Sequence, residues 1–140
     1  MLQETAGDKV VTFAVVGDMV LNPVYEAAAA LAEKGIGSKI VAVVNPRRLY
    51  RPTDVAAEAC SEADTGFIDD AKFAELFGGD ALLGVTGGTS AMLEPVMLRS
   101  TAPRDMFAWK RGETAAGAAA VMGLNGITAE AMADRAAALV

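Results

Sequence analysis

The chain has 140 residues, 53% hydrophobic and 21% charged, with a net charge of -6. That is a globular composition of ordinary one-domain length, and its acidity excludes nucleic acid as the default partner. Histidine is absent and Cys60 is the single cysteine, which excludes a histidine-based triad, a histidine-ligated zinc and an internal disulfide, and suits a reducing cytoplasm.

Residues 1–8 are polar and read as a loose N-terminal segment, without the basic and apolar regions of a signal peptide. Residues 10–16 run apolar and β-branched almost without interruption. Such a run predicts a strand buried on both faces. Gly17-Asp18 ends it. Asn22 is positioned to cap a helix with Pro23 in its first turn. Val24, Ala27, Ala28 and Leu31 then recur at helical spacing. Gly35 and Gly37 are expected to close that helix.

Residues 40–44 predict a second buried strand, stopped by Asn45-Pro46. A basic turn follows, with Arg47, Arg48 and Arg51 interleaved by Leu49 and Tyr50. Thr53 is a candidate cap for a short helix through Ala59, and residues 61–66 read as loop. A helix is expected over about 69–77, favoured by Asp69-Asp70 at its start and ended by Gly78-Gly79. Residues 81–85 predict a third strand, running into the turn Thr86-Gly87-Gly88-Thr89-Ser90. Pro95 sits awkwardly in the helix after it, so that helix either kinks or starts later than Ser90. Residues 106–109 predict a fourth strand, 113–122 a small-residue helix, and Thr128 the cap of a final helix through Ala138. No apolar run reaches membrane-spanning length, and no internal boundary divides residues 1–140.

Strand and helix alternate throughout. This predicts a three-layer α/β/α sandwich, with a mostly parallel sheet of four to five strands and helices on both faces. Ligands in such folds bind beyond the carboxyl ends of the strands. Thr86, Gly87, Gly88, Thr89 and Ser90 lie at one such end. Glycines there let backbone N–H groups face a phosphate, with Arg47 or Arg48 as a bidentate partner. The plainer alternative is a tight packing turn, since the turn matches neither the dinucleotide-binding fingerprint nor a P-loop. The arginine cluster equally suits an interface, with Tyr50, Arg51 and Trp109 as its members. Asp18 and Glu113 also stand at strand ends, where capping or turn roles compete with chemistry. Cys60 has no nucleophile signature. The residues alone identify no catalytic group and no metal-ligating set.

Taken in order, the motifs resemble the C-terminal domain of phosphoketolases. These are thiamine-diphosphate enzymes acting on xylulose 5-phosphate or fructose 6-phosphate, related to transketolase. The resemblance rests on five segments between about residues 9 and 128: a strand ending in Gly17-Asp18 with its helix, the segment IVAVVNPRRLYRP ending at Pro52, KFAELFGGD from Lys72 to Asp80, FAWKRGET from Phe107 to Thr114, and LNGI from Leu124 to Ile127. The family has a His-Gly-Tyr turn where this chain has Thr86-Gly87-Gly88, and histidines where this chain has residues 59–64. Its cofactor motif, opening Gly-Asp-Gly and closing on paired asparagines, is not matched by Gly17-Asp18-Met19.

The resemblance implies a structural or regulatory domain, inactive alone and binding no cofactor itself. It implies packing against preceding domains or a subunit that hold thiamine diphosphate and magnesium, in a homo-oligomer such as a dimer. An opening Met1 then suggests an excised domain or a separately encoded subunit. The competing reading is a binding module for phosphate or nucleotide at the strand ends.

Overall fold

The computed structural model describes residues 1–50, 68–110 and 117–140. Its elements in order are β1 (Gln3–Thr5), β2 (Lys9–Val16), α1 (Leu21–Glu33), β3 (Ile36–Ala42), α2 (Asp70–Phe77), β4 (Ala81–Thr86), α3 (Glu94–Arg99), β5 (Arg104–Phe107), α4 (Ala118–Leu124) and α5 (Ala129–Leu139). Short 3-10 turns occupy Pro46–Leu49 and Ser90–Leu93. The five strands form one sheet in the order β1-β3-β2-β4-β5. β1 pairs antiparallel with β3, and the other pairings are parallel.

The uninterrupted apolar run in β2 is explained by burial on both sides. Val11, Phe13 and Val15 enter one core with Val24 and Leu31 of α1 and Met132 of α5. Ala14 enters the other, with Phe73 and Phe77 of α2 and Val96 of α3. Each fully buried large side chain contributes roughly 1.5–3 kcal/mol, so the two cores hold the layers together. Gly84 in β4 lets α3 and the 3-10 turn before it come close: a Cβ there would collide with Met97 Cε and stand 3.2 Å from Leu93 Cδ1.

Several boundaries differ from the sequence expectation. Gln3–Thr5, part of the segment read as loose, forms an edge strand. Thr5 Oγ1 accepts the Ser38 N–H at 2.9 Å, tying that strand to β3. β3 begins at Ile36, so Gly37 lies inside a strand and does not close a helix. A Cβ at Gly37 would stand 2.6 Å from Thr5 O, so the close passage of the N-terminal segment requires glycine. α1 starts at Leu21, and Asn22 falls inside its first turn without capping it. Val20 precedes the helix fully buried, so core packing sets the start. Pro23 is tolerated because first-turn N–H groups have no intrahelical acceptor.

Pro95 resolves as the later start. A 3-10 turn covers Ser90–Leu93, and α3 opens at Glu94 with Pro95 in its first turn. The fourth strand is shifted to Arg104–Phe107, and α4 runs over Ala118–Leu124. The expected cap at Thr128 is present, its hydroxyl accepting the Ala131 N–H at 3.2 Å. Asp69 caps α2 by accepting the Lys72 N–H at 2.7 Å. The expected helix at 53–59, the loop at 61–66, and Arg51, Cys60 and Glu113 lie outside the described residues. No helix of the described residues is long and apolar enough to cross a membrane.

Candidate functional site

The strand order fixes where a site would form. The chain leaves β2 through α1, on one face of the sheet, and returns as β3. It leaves β4 through α3, on the opposite face, and returns as β5. Connections that depart to opposite faces leave a crevice between the carboxyl ends of the two strands. A pocket of about 280 Å³ occupies that place, lined by Val16, Gly17, Asp18, Thr86, Gly87 and Gly88, with Met19, Val20 and Met92 completing it.

The walls are mainly backbone and apolar side chains. The Thr86 hydroxyl is buried; it accepts the Gly88 N–H at 3.0 Å and points at Met92 Sδ at 3.7 Å. The Gly88 carbonyl accepts the Trp109 N–H at 2.9 Å. These bonds brace the turn internally, so the Gly88 donor is already engaged. Thr89 and Ser90 are exposed and lead into the 3-10 turn. The helix that follows has only six residues and opens on Glu94, whose charge opposes an anion there. Among the described residues Asp18 supplies the pocket's one ionisable side chain, at an exposed position.

Arg47 and Arg48 lie on the 3-10 turn after β3, two strands away from β4. Neither arginine lines the pocket at 86–88. Arg48 lines a neighbouring pocket of about 220 Å³ with Val43, Val44, Asn45 and Leu49. The expected convergence of Arg47 or Arg48 with residues 86–90 is therefore not seen in that pocket. Tyr50 is half-buried and donates its hydroxyl to Glu94 Oε2 at 3.5 Å. Burial first, then the charge and hydrogen bond of Glu94, push the phenol pKa above its ordinary value. Trp109 is half-buried as well.

A third pocket, about 320 Å³, opens between the ends of β2 and β3. It shares Val16, Gly17 and Asp18 with the first and ends at Val44. Met19, Val44 and Met92 are exposed at 47%, 93% and 41% on this end of the sheet.

Sequence reasoning missed Arg99. Its side chain is 1% exposed on α3. Nη1 donates to Leu49 O at 3.0 Å and Ile68 O at 3.1 Å, and Nη2 to Asp70 Oδ1 at 2.8 Å. The guanidinium also sits 4.3 Å over the Phe73 ring. The signal was present: Arg99 continues the stripe of Leu93 and Val96, and a cation on an apolar stripe implies buried partners. Asn125 was likewise missed as a polar brace. It is buried, donates to Val121 O at 2.9 Å and accepts the Lys110 N–H at 2.6 Å.

No family model matches the chain, and no curated protein matches it. Among solved structures it is similar to a split-gene transketolase in an inactive beta4 tetramer, with a TM-score of 0.61 and 19% identity over 98% of this chain. The fold is transketolase-like. The chain spans 43% of that transketolase chain. A transketolase C-terminal-like α/β layer arrangement is therefore what the alternation of elements encodes.

Among the described residues no cluster of three acidic or thiol side chains is placed to hold a metal ion. Asp18 is followed by Met19 and faces an apolar crevice, with no second carboxylate in the pocket wall among the described residues.

Proposed function

We propose that this chain is a packing and assembly domain of a thiamine-diphosphate enzyme of sugar-phosphate metabolism, of the phosphoketolase kind, and is not catalytic alone. One observation carries the reading. Nearly the whole chain shares its fold with less than half of a transketolase chain. A partial match of this kind supports a domain that works beside others. The five phosphoketolase-like segments favour that branch over transketolase itself. The apolar strand ends, with exposed Met19, Val44 and Met92, suit docking against protein better than turnover of a polar sugar phosphate. The similar chain belongs to a beta4 tetramer, which favours self-association here too.

Calorimetry with thiamine diphosphate and magnesium tests this reading. The isolated chain is expected to give no binding heat. Stoichiometric binding would overturn it. A second reading, phosphate or nucleotide at Thr86–Ser90, is favoured by the pocket's position at the switch point. Titration with inorganic phosphate and adenosine diphosphate, repeated on Arg48→Ala, separates the two.

A further inference from the structure

A pocket of about 290 Å³ opens at the opposite end of the sheet, beside the amino ends of β4 and β5. Asp70, Phe73 and Ala74 of α2 supply one wall. Gly78 and Gly79, leading into β4, and residues 100–102, leading into β5, supply the others. Arg99 lines it too. The Arg99 side chain is 1% exposed, and its Nε is the one buried side-chain nitrogen or oxygen without a hydrogen-bond partner among the described residues. A buried N–H without an acceptor is destabilising, so folded proteins keep one where another molecule accepts from it. The carboxylate of Asp70 lies in the same wall with its side chain 71% exposed, and Ser100 and Thr101 bring two hydroxyls. Donors and acceptors therefore converge on a small cavity that the sheet's carboxyl-end crevice does not share.

We propose that this pocket binds a small neutral polyhydroxyl molecule, a monosaccharide or simple polyol, with Arg99 Nε–H donating to one hydroxyl and Asp70 accepting from another. Charge selects a neutral occupant. Arg99 and Asp70 are the lining charges among the described residues, one of each sign. Charges on the neighbouring elements are matched as well. Lys39 reaches Gly78 O at 3.4 Å and Glu4 at 3.9 Å, Lys72 pairs with Glu75, and Lys9 pairs with Asp80. Arg104 donates to Ser100 O at 2.9 Å, and the Asp69 carboxylate accepts the Lys72 N–H. Arg47 and Arg48, on the turn that offers Leu49 O to Arg99, do not line this pocket. An anion would meet Asp70, and a cation would meet Arg99. A flat nucleobase finds no open ring to stack on. The guanidinium covers Phe73 at 4.3 Å, and the Phe77 ring is tilted against Phe73 at 4.9 Å. A hydroxyl both donates and accepts, as this pair of groups requires, and the carbon skeleton of a polyol suits the small apolar surface of Ala74 and Ala102.

Nuclear magnetic resonance titration of the intact 140-residue chain tests it, with glucose as the monosaccharide and glycerol as the simple polyol. With at least one of them, saturable millimolar shifts are expected at the Arg99 Nε–H and at the Ala74, Gly79 and Thr101 amides. Ala74 is exposed, so Ala74→Leu fills the pocket from the helix surface and should raise the midpoint about tenfold or more. Asp70→Asn keeps the shape but loses the charged acceptor, and it should weaken binding severalfold. Circular dichroism and melting check that both variants are folded. No saturable shift with either probe, which leaves water as the acceptor of Nε–H, would overturn the site. So would an Ala74→Leu chain that binds as wild type does, or tighter saturation of the same resonances by acetate or adenosine. The outcome is independent of the packing-domain reading, since neither probe is its cofactor.

Discussion

Replacing Arg99 by methionine is expected to destabilise the fold by about 2–3 kcal/mol. The estimate starts from the three hydrogen bonds that the guanidinium donates, two to backbone carbonyls and one to Asp70. Bonds from a charged donor are worth roughly 1.5–3 kcal/mol each before desolvation is counted. Methionine fills similar volume and removes the cost of a buried cation, and such exchanges are sometimes neutral. Two features argue against neutrality here. Leu49 O lies in a buried bond and loses its donor, which costs about 1–3 kcal/mol. The ring contact with Phe73 is lost as well. Two features act the other way. Asp70 is 71% exposed on its side chain, so water takes over its carboxylate. Arg99 Nε has no partner among the described residues, so its burial already costs something in the wild type. Urea unfolding gives the stability, and hydrogen exchange at the Ile68 amide, bonded to Arg48 O at 3.4 Å, gives the local effect. A methionine variant as stable as wild type, with the Ile68 amide equally protected, would refute the reasoning.

Two further outcomes follow from the caps and charges. Thr128→Ala removes the acceptor for the Ala131 N–H and should cost about 1 kcal/mol, with Thr128→Ser recovering most of it in thermal melts. Asp80 accepts the Val10 N–H and pairs with Lys9, and these contacts hold its carboxyl below the ordinary value of 3.8. A depressed folded-state value contributes stability that is present above the unfolded value and lost as pH falls through the folded one. Wild type should therefore lose its advantage over Asp80→Asn as pH is lowered below about 4, as acid titration of the two unfolding curves would show.

The layer order was legible because it depends on the coarsest signals. The β-branched run at 10–16 and the apolar run at 81–85 mark strands covered on both faces, and the 3.6-residue spacing from Val24 to Leu31 marks the α1 face. What the sequence hid were features set by distant partners. Gln3–Thr5 is polar and short, and it becomes a strand because the β3 edge offers hydrogen bonds. Gly37 looks like a helix stop until Thr5 O is found against it. Arg47, Arg48 and residues 86–90 look convergent in one dimension, yet β2 lies between their strands. Arg99 was marked only by its place on the apolar stripe of Leu93 and Val96, while the backbone carbonyls it reaches, and the Lys110 amide that Asn125 accepts, are groups no residue name discloses.

The proposed role is that of a domain that assembles with others and performs no chemistry alone. The most direct measurement is acetyl phosphate formation by the purified chain from xylulose 5-phosphate and phosphate, with thiamine diphosphate and magnesium supplied. Background rate is the expected result. Sustained turnover by the isolated chain would contradict it.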